Sequence, residues 1–386
     1  MLRLLAIIGL FVLSACATGS PTGPTCVALE SFGGSDASAR AAALSDGMGA
    51  ALEDDIANAM SAPMAARNSA RRSVLAISAG GQNGAFASGF LTGWTARGDR
   101  PDFDIVTGAS AGALVAPVAF LGPDFDADLR RNTGIGDEDI FRRRGTLTAL
   151  LSTSFFDTSP LERRVRELYA RTDFWDALIA QTQSRRLLLI GATDIETGRF
   201  QRFDFASLLR ADKPVDSKKE CLVEATLASA AIPGFFPPRK INDRLFVDAG
   251  VRQAIFLDEI VEELNARRGA GGTDVYLLIN GTLEFPDSAV EPRLLSLVGR
   301  NLEILTDEGM RASILRVLAR AELNGWTLRA AAIEELPECS DADGAFFSRC
   351  VTEGLFDHGQ ELAQRADPWL SVRELRDALE QGRVER

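Results

Sequence analysis

Phe103-Asp104-Ile105-Val106-Thr107-Gly108-Ala109-Ser110-Ala111-Gly112-Ala113-Leu114-Val115 is the stretch on which the fold turns. Residues 103–107 have strand character, and residues 113–121 form an apolar helix. Between them, Gly108-Ala109-Ser110-Ala111-Gly112 confines the reversal to five small residues. A nucleophilic serine on a sharp strand-to-helix turn needs such neighbours, because a bulky flank would strike the adjoining strand. The helix N-terminus behind it adds positive potential where negative charge develops. Ser110 is therefore a candidate nucleophile, with Gly108 and Gly112 as the glycines of its elbow.

On either side of this stretch, short apolar runs recur at 74–78, 187–193, 245–248 and 275–280, alternating with helical patterns. Runs of that kind suit a buried, largely parallel sheet in an α/β core. Asp194-Ile195-Glu196-Thr197-Gly198 reads as a turn between two strands. Residues 292–335, and those from 355 onward, read as helical. The expected organisation is a leader at 1–15, a tether with a docking helix (36–60) at 16–72, a core at 73–283 and a helical C-terminal extension at 284–386.

Two more elements could carry chemistry. Ser78-Ala79-Gly80-Gly81-Gln82-Asn83-Gly84-Ala85-Phe86 follows the strand at 74–77. Adjacent glycines between strand and helix let backbone N–H groups converge on one cavity, an oxyanion-hole arrangement. A Walker loop would end in Gly-Lys-Ser/Thr, and a dinucleotide fingerprint would need Gly where Ala79 stands. The other element is Leu245-Phe246-Val247-Asp248-Ala249-Gly250, a strand ending in an acid. A plain cap has the same look.

The chain has one histidine, His358. A Ser-His-Asp triad would have to use it. A Ser-Asp dyad fits the strand-end acid better, and it requires burial to raise the Asp248 pKa above about 3.9.

Taken in order, Ala79–Phe86, Gly108–Gly112, Ser229-Ala230-Ala231-Ile232-Pro233-Gly234-Phe235-Phe236-Pro237-Pro238 and Val247–Gly250 resemble the signature of patatin-like phospholipases, over residues 73–281. The resemblance implies a three-layer α/β/α sandwich and a serine acyl hydrolase acting on lipid or other acyl esters. By position it gives Ser110 as nucleophile, Asp248 as general base, and Gly80 and Gly81, supported by Gly84, as oxyanion hole. No cofactor or metal is implied. Two blocks depart from the pattern. Ala79 stands where the first block usually begins with Gly, Asn83 stands where a cation is common, and Ala249 replaces a glycine of the last block. A turn needing positive φ at Ala249 would cost on the order of 1 kcal/mol. That leaves a degenerate envelope lipoprotein, binding lipid or a protein partner, as the alternative. The segment 232–238 could line an acyl-chain entrance or pack the core.

Composition bounds the partners. The net charge of -12 over 386 residues argues against nucleic acid. Asp137-Glu138-Asp139 and Asp54-Asp55 read as solvated acids, and Arg142-Arg143-Arg144 as exposed cations. Residues 4–12 are too short to span a bilayer, which takes about 20 residues, and suit a secretory h-region. Leu13-Ser14-Ala15-Cys16 follows and resembles a lipobox, implying acylation of Cys16 and membrane anchoring facing the periplasm. Ala17 is not an inner-membrane retention signal, so the outer membrane is the expected destination. Export suits the four other cysteines, which allow three pairings. The Ser/Asp/Gly-rich stretch between Cys339 and Cys350 favours local closure there, leaving Cys26 for Cys221.

Overall fold

The computed structural model describes Pro24, Cys26 and residues 71–384, apart from 132, 146–147, 149–151, 184–185, 258–271, 286, 288–289 and 340–344. The leader at 1–15, Cys16, the helix expected over 36–60 and Asp54-Asp55 lie outside the described residues.

An eight-stranded sheet organises the chain. Its strands are β1 (Arg72–Ile77), β2 (Ile105–Ala109), β3 (Leu187–Asp194), β4 (Phe200–Asp204), β5 (Arg239–Ile241), β6 (Arg244–Val247), β7 (Thr273–Thr282) and β8 (Thr327–Ile333). Five run parallel in the order β8-β7-β1-β2-β3, and β4, β6 and β5 add antiparallel pairings. The helices are α1 (Gly84–Arg97), α2 (Ala111–Leu121), α3 (Ser159–Ala170), α4 (Thr172–Gln183), α5 (Phe205–Arg210), α6 (Val215–Ser229), α7 (Leu294–Asn324), α8 (Arg349–Ala363) and α9 (Val372–Val384). Short helical turns at Asp126–Arg130 and Asp137–Ile140 complete the described helices.

Strand alternation divides the core in two. Leu75, Ile77, Val106, Leu188 and Ile190 point to one face, where they meet α1, α2, α6 and α8. Val74, Ala76, Ile105, Leu187 and Leu189 point to the other and meet α7 and α9. Period-two side chains on a sheet covered on both sides give three layers, α/β/α.

The C-terminal helices are present, with one difference from expectation. Helix α7 stops at Gly325, which adopts φ 64 and caps it, and Thr327–Ile333 becomes the edge strand β8. The run Ala330-Ala331-Ala332 carries high helix propensity, but pairing with β7 buries it as a strand. The exposed edge is blunted by reciprocal backbone bonds between Ala330 and Leu370. Strands β4 and β5 were not apparent as apolar runs. The turn at 194–198 does join two strands, with Asp194 Oδ1 accepting the N–H groups of Glu196 and Thr197.

Both expected disulfides are formed, with Cα–Cα separations of 5.7 Å for Cys26–Cys221 and 5.9 Å for Cys339–Cys350. Asn242, in the β5–β6 turn, brackets the backbone of Cys26 with its carboxamide. The cluster at 137–139 is not simply solvated. Arg349 pairs with Glu138 and Asp139, while Asp137 Oδ1 accepts the N–H groups of Phe346 and Phe347.

Helices α1 and α8 pack with almost no side chain between them. A Cβ on Gly89 would collide with the Phe356 carbonyl, one on Gly93 with that of Gln360, and one on Gly359 with that of Phe86. We therefore expect Gly89→Ala to cost about 2 kcal/mol through forced separation of the helices. Urea unfolding should show a lower midpoint at unchanged slope. A wild-type midpoint would mean that this backbone contact is not made.

Candidate active site

Strand β2 runs directly into Ser110, which takes φ 52 and ψ -119 before α2 begins. A non-glycine residue held there costs on the order of 1–3 kcal/mol and persists only where its surroundings fix it. They do so by backbone contact. A Cβ on Gly108 would meet the Gly112 carbonyl oxygen at 2.5 Å, and one on Gly112 would meet the Ser78 carbonyl oxygen at 2.8 Å. Ser110 N–H donates to Ser229 Oγ at 2.9 Å, which ties the elbow to the end of α6.

Asp248 arrives from the opposite direction. Strand β2 pairs with β3 as far as Ala109–Gly191, and β6 takes over the same edge of β3 at Thr193–Val247, running antiparallel. The opposite edge of Thr193 belongs to β4, through Phe200. Two strands thus end against each other, and the residue after each end is Ser110 or Asp248. Ser110 Oγ donates to Asp248 Oδ2 at 2.6 Å. Asp248 Oδ1 accepts Gly250 N–H at 2.7 Å, while Asp248 N–H donates to the Ala231 carbonyl and Thr193 Oγ1 donates to the Asp248 carbonyl. Burial raises the Asp248 carboxyl to about 6, against the two hydrogen bonds to its oxygens, which pull it down.

Ala249 does not strain this turn. The positive-φ residues other than glycine, among those described, are Ser110, Asn242 and Asp243. Ala249 is fully buried, and Asp248 is held in place beside it.

The glycine loop abuts the elbow. A Cβ on Gly84 would lie 2.8 Å from the Ala111 Cβ. Gly81 adopts φ 57 with open space beside it. Gly81 and Gln82 open a 3-10 turn and Ala111 opens α2, positions where the helix supplies no acceptor for the N–H.

Ser110, Gly81, Gln82 and Gly84 line one cavity of about 760 Å³. That lies within the roughly 300–1,000 Å³ of small-molecule sites. Its walls follow Leu114, Val115 and Val118 along α2, then Leu161, Val165 and Leu168 on α3, and reach charged residues at Asp128, Arg131 and Arg171. The segment 232–238 divides between the cavity and the core. Ile232 and Phe236 face the cavity, whereas Phe235 packs against Phe156 and Phe346. Phe347, from the loop closed by Cys339–Cys350, is a further wall residue.

His358 is elsewhere. It sits on α8, where Nε2 accepts Glu334 N–H at 3.3 Å and the ring lies 5.8 Å from that of Phe86. Among the described residues, no group of three or more His, Cys, Asp or Glu could hold a metal ion. Sequence reasoning missed Ser229, Thr193 and Phe347. Ser229 opened a recognised block and was the one within reach.

Residues 75–261 match the family model for patatin-like phospholipase, a stretch containing the glycine loop, Ser110 and Asp248. The match supports lipid acyl hydrolase activity in general. No curated protein matches the chain. Among solved structures, the chain is similar to VipD from Legionella pneumophila at 11% identity and a TM-score of 0.38, covering 81% of this chain and 67% of that one.

The raised Asp248 carboxyl has a cost in stability. The folded state holds the proton more tightly than the unfolded chain, so stability falls as pH rises from about 4 to 6 and the penalty is complete above 6. Its size is about 3 kcal/mol. Asp248→Asn keeps the shape without the charge, so it should raise the melting temperature at pH 8 more than at pH 5.5. Equal shifts at both values would count against a buried, ionised Asp248.

Proposed function

We propose that the protein is a serine acyl hydrolase of lipid esters, working through a Ser110–Asp248 dyad. The observation that carries this is the 2.6 Å hydrogen bond from a strained Ser110 to a buried carboxyl, at the wall of a largely apolar cavity. Above pH 6 Asp248 is ionised and accepts the Ser110 proton as Oγ bonds to the ester carbonyl carbon. The carbonyl electron pair moves to oxygen, where the Gly80–Gly81 amides, with Gly84 keeping the loop close to α2, stabilise the charge. Collapse expels the alcohol, which takes the proton from Asp248. Water then gives a proton to Asp248 and its oxygen to the acyl carbon, and the carboxylic acid departs as Ser110 regains its proton.

The cavity favours an acyl chain laid along α2, over Leu114, Val115 and Val118. Phospholipids, lysophospholipids and simpler acyl esters share that chain. The binding-only alternative is not favoured, because it rested on a strained Ala249.

The apolar run at 4–12 and Leu13-Ser14-Ala15-Cys16 support export and acylation of Cys16, placing the hydrolase on the periplasmic side of an envelope membrane. Two formed disulfides agree with an oxidising compartment. Metabolic labelling with a radioactive fatty acid should mark the wild type and not Cys16→Ser. Label retained in that variant would remove the anchor.

Hydrolysis of a p-nitrophenyl ester and of a lysophospholipid tests the chemistry. Ser110→Ala and Asp248→Asn should each lose on the order of 10³-fold or more in kcat. His358→Ala should stay within about twofold of wild type, and kcat/KM should rise with pH through a midpoint near 6. Full activity in Ser110→Ala would exclude the serine mechanism.

A further inference from the structure

Strand β7 passes beneath the glycine loop at Asn280, two residues before the strand ends, and Asn280 is 1% exposed. Its carboxamide makes one bond to each side of the loop. Nδ2 donates to the Ser78 carbonyl at 2.8 Å, before the glycines, and Oδ1 accepts Ala87 N–H at 3.2 Å, in the first turn of α1 after them. The backbone joins in: Asn280 N–H donates to Ser78 Oγ at 2.8 Å, and Ser78 Oγ donates onward to the Ala79 carbonyl at 2.7 Å. Ser78 is itself fully buried.

The loop rests directly on this residue. A Cβ on Gly80 would collide with the Asn280 carbonyl oxygen and Cβ. The φ of Gly80, 164, is extended, so close approach is what excludes a side chain there. On its other side the same segment touches the elbow. The Ser78 carbonyl that accepts from Asn280 is also the atom a Cβ on Gly112 would meet at 2.8 Å. Asn280, the start of the glycine loop at Ser78–Gly80 and the Ser110 turn therefore form one stack.

We infer that Asn280 is a positioning residue for the proposed hydrolysis, setting the distance and aim of the Gly80–Gly81 amides toward the carbonyl oxygen of a substrate on Ser110. The inference rests on the reading of those amides as an oxyanion hole. A carboxamide suits the task because it is donor and acceptor at once, at fixed separation. Aspartate has nearly the same shape, but it would set a carboxylate oxygen against the Ser78 carbonyl where Nδ2 now donates. The loop would then be repelled at its start and still held at Ala87. A displacement of about 1 Å in such a group lowers rates by about 10²-fold.

Asn280→Asp and Ser78→Ala test this, beside wild type and Ser110→Ala, on a p-nitrophenyl ester with pH profiles. The expected result is a kcat lower by about 10²-fold in Asn280→Asp and by about 10-fold in Ser78→Ala. KM should stay within about twofold in both, and in Ser78→Ala, which adds no titratable group, the pH midpoint should not move. A tetrahedral adduct with a trifluoromethyl ketone should weaken in parallel with kcat. Wild-type kcat in both folded variants, or a loss confined to KM, would overturn the inference. A shifted midpoint in Ser78→Ala would overturn it too, by tracing the defect to Asp248. Ser78→Ala decides alone if Asn280→Asp is not recovered folded. Activity surviving in Ser110→Ala would instead refute the serine mechanism itself, whatever Asn280 does.

Discussion

The hydrogen bond between Ser110 Oγ and Asp248 Oδ2 exists because two strands share one edge of a third. Strand β2 occupies that edge up to Gly191, and β6 occupies it from Thr193 in the reverse sense. Neither can extend without meeting the other, so each must leave the sheet plane at the junction. The elbow after Ala109 and the 3-10 turn after Asp248 are those departures. Residues 138 apart in sequence thereby become neighbours, and the register of β3 sets their separation.

The same junction explains why the site is costly to keep. Ser110 holds a backbone conformation that side chains avoid, and Asp248 is a carboxyl deprived of water. Both are held by close contacts at or next to the backbone: Gly112 against the Ser78 carbonyl, Gly84 against the Ala111 Cβ, and Asp248 N–H on the Ala231 carbonyl. Glycine and alanine serve here as spacers that let secondary-structure elements touch. The close contact of α1 with α8 through Gly89, Gly93 and Gly359 repeats that device on the outer layer.

Much of this was legible along the chain. The small residues around Ser110 announced a turn too tight for side chains, and the contacts of Gly108 and Gly112 bear that out. Alternating apolar runs located five of the eight strands of the main sheet. The disulfide pairs followed from the spacing of Cys339 and Cys350. Strand β8 escaped because an alanine run scores as helix until a neighbouring strand offers to bury it. Ala249 looked like a defect because a motif glycine suggests positive φ, whereas the turn here needs only a small buried residue.

The α/β class, the elbow and the order of its motifs can be read along the chain, since these depend on steric and periodic rules acting over a few residues. Folding alone brings Asp248 to face Ser110, raises its carboxyl to about 6, and sets Asn280 against the glycine loop. Those facts depend on strand order, register and burial, which bring together residues that no local pattern connects.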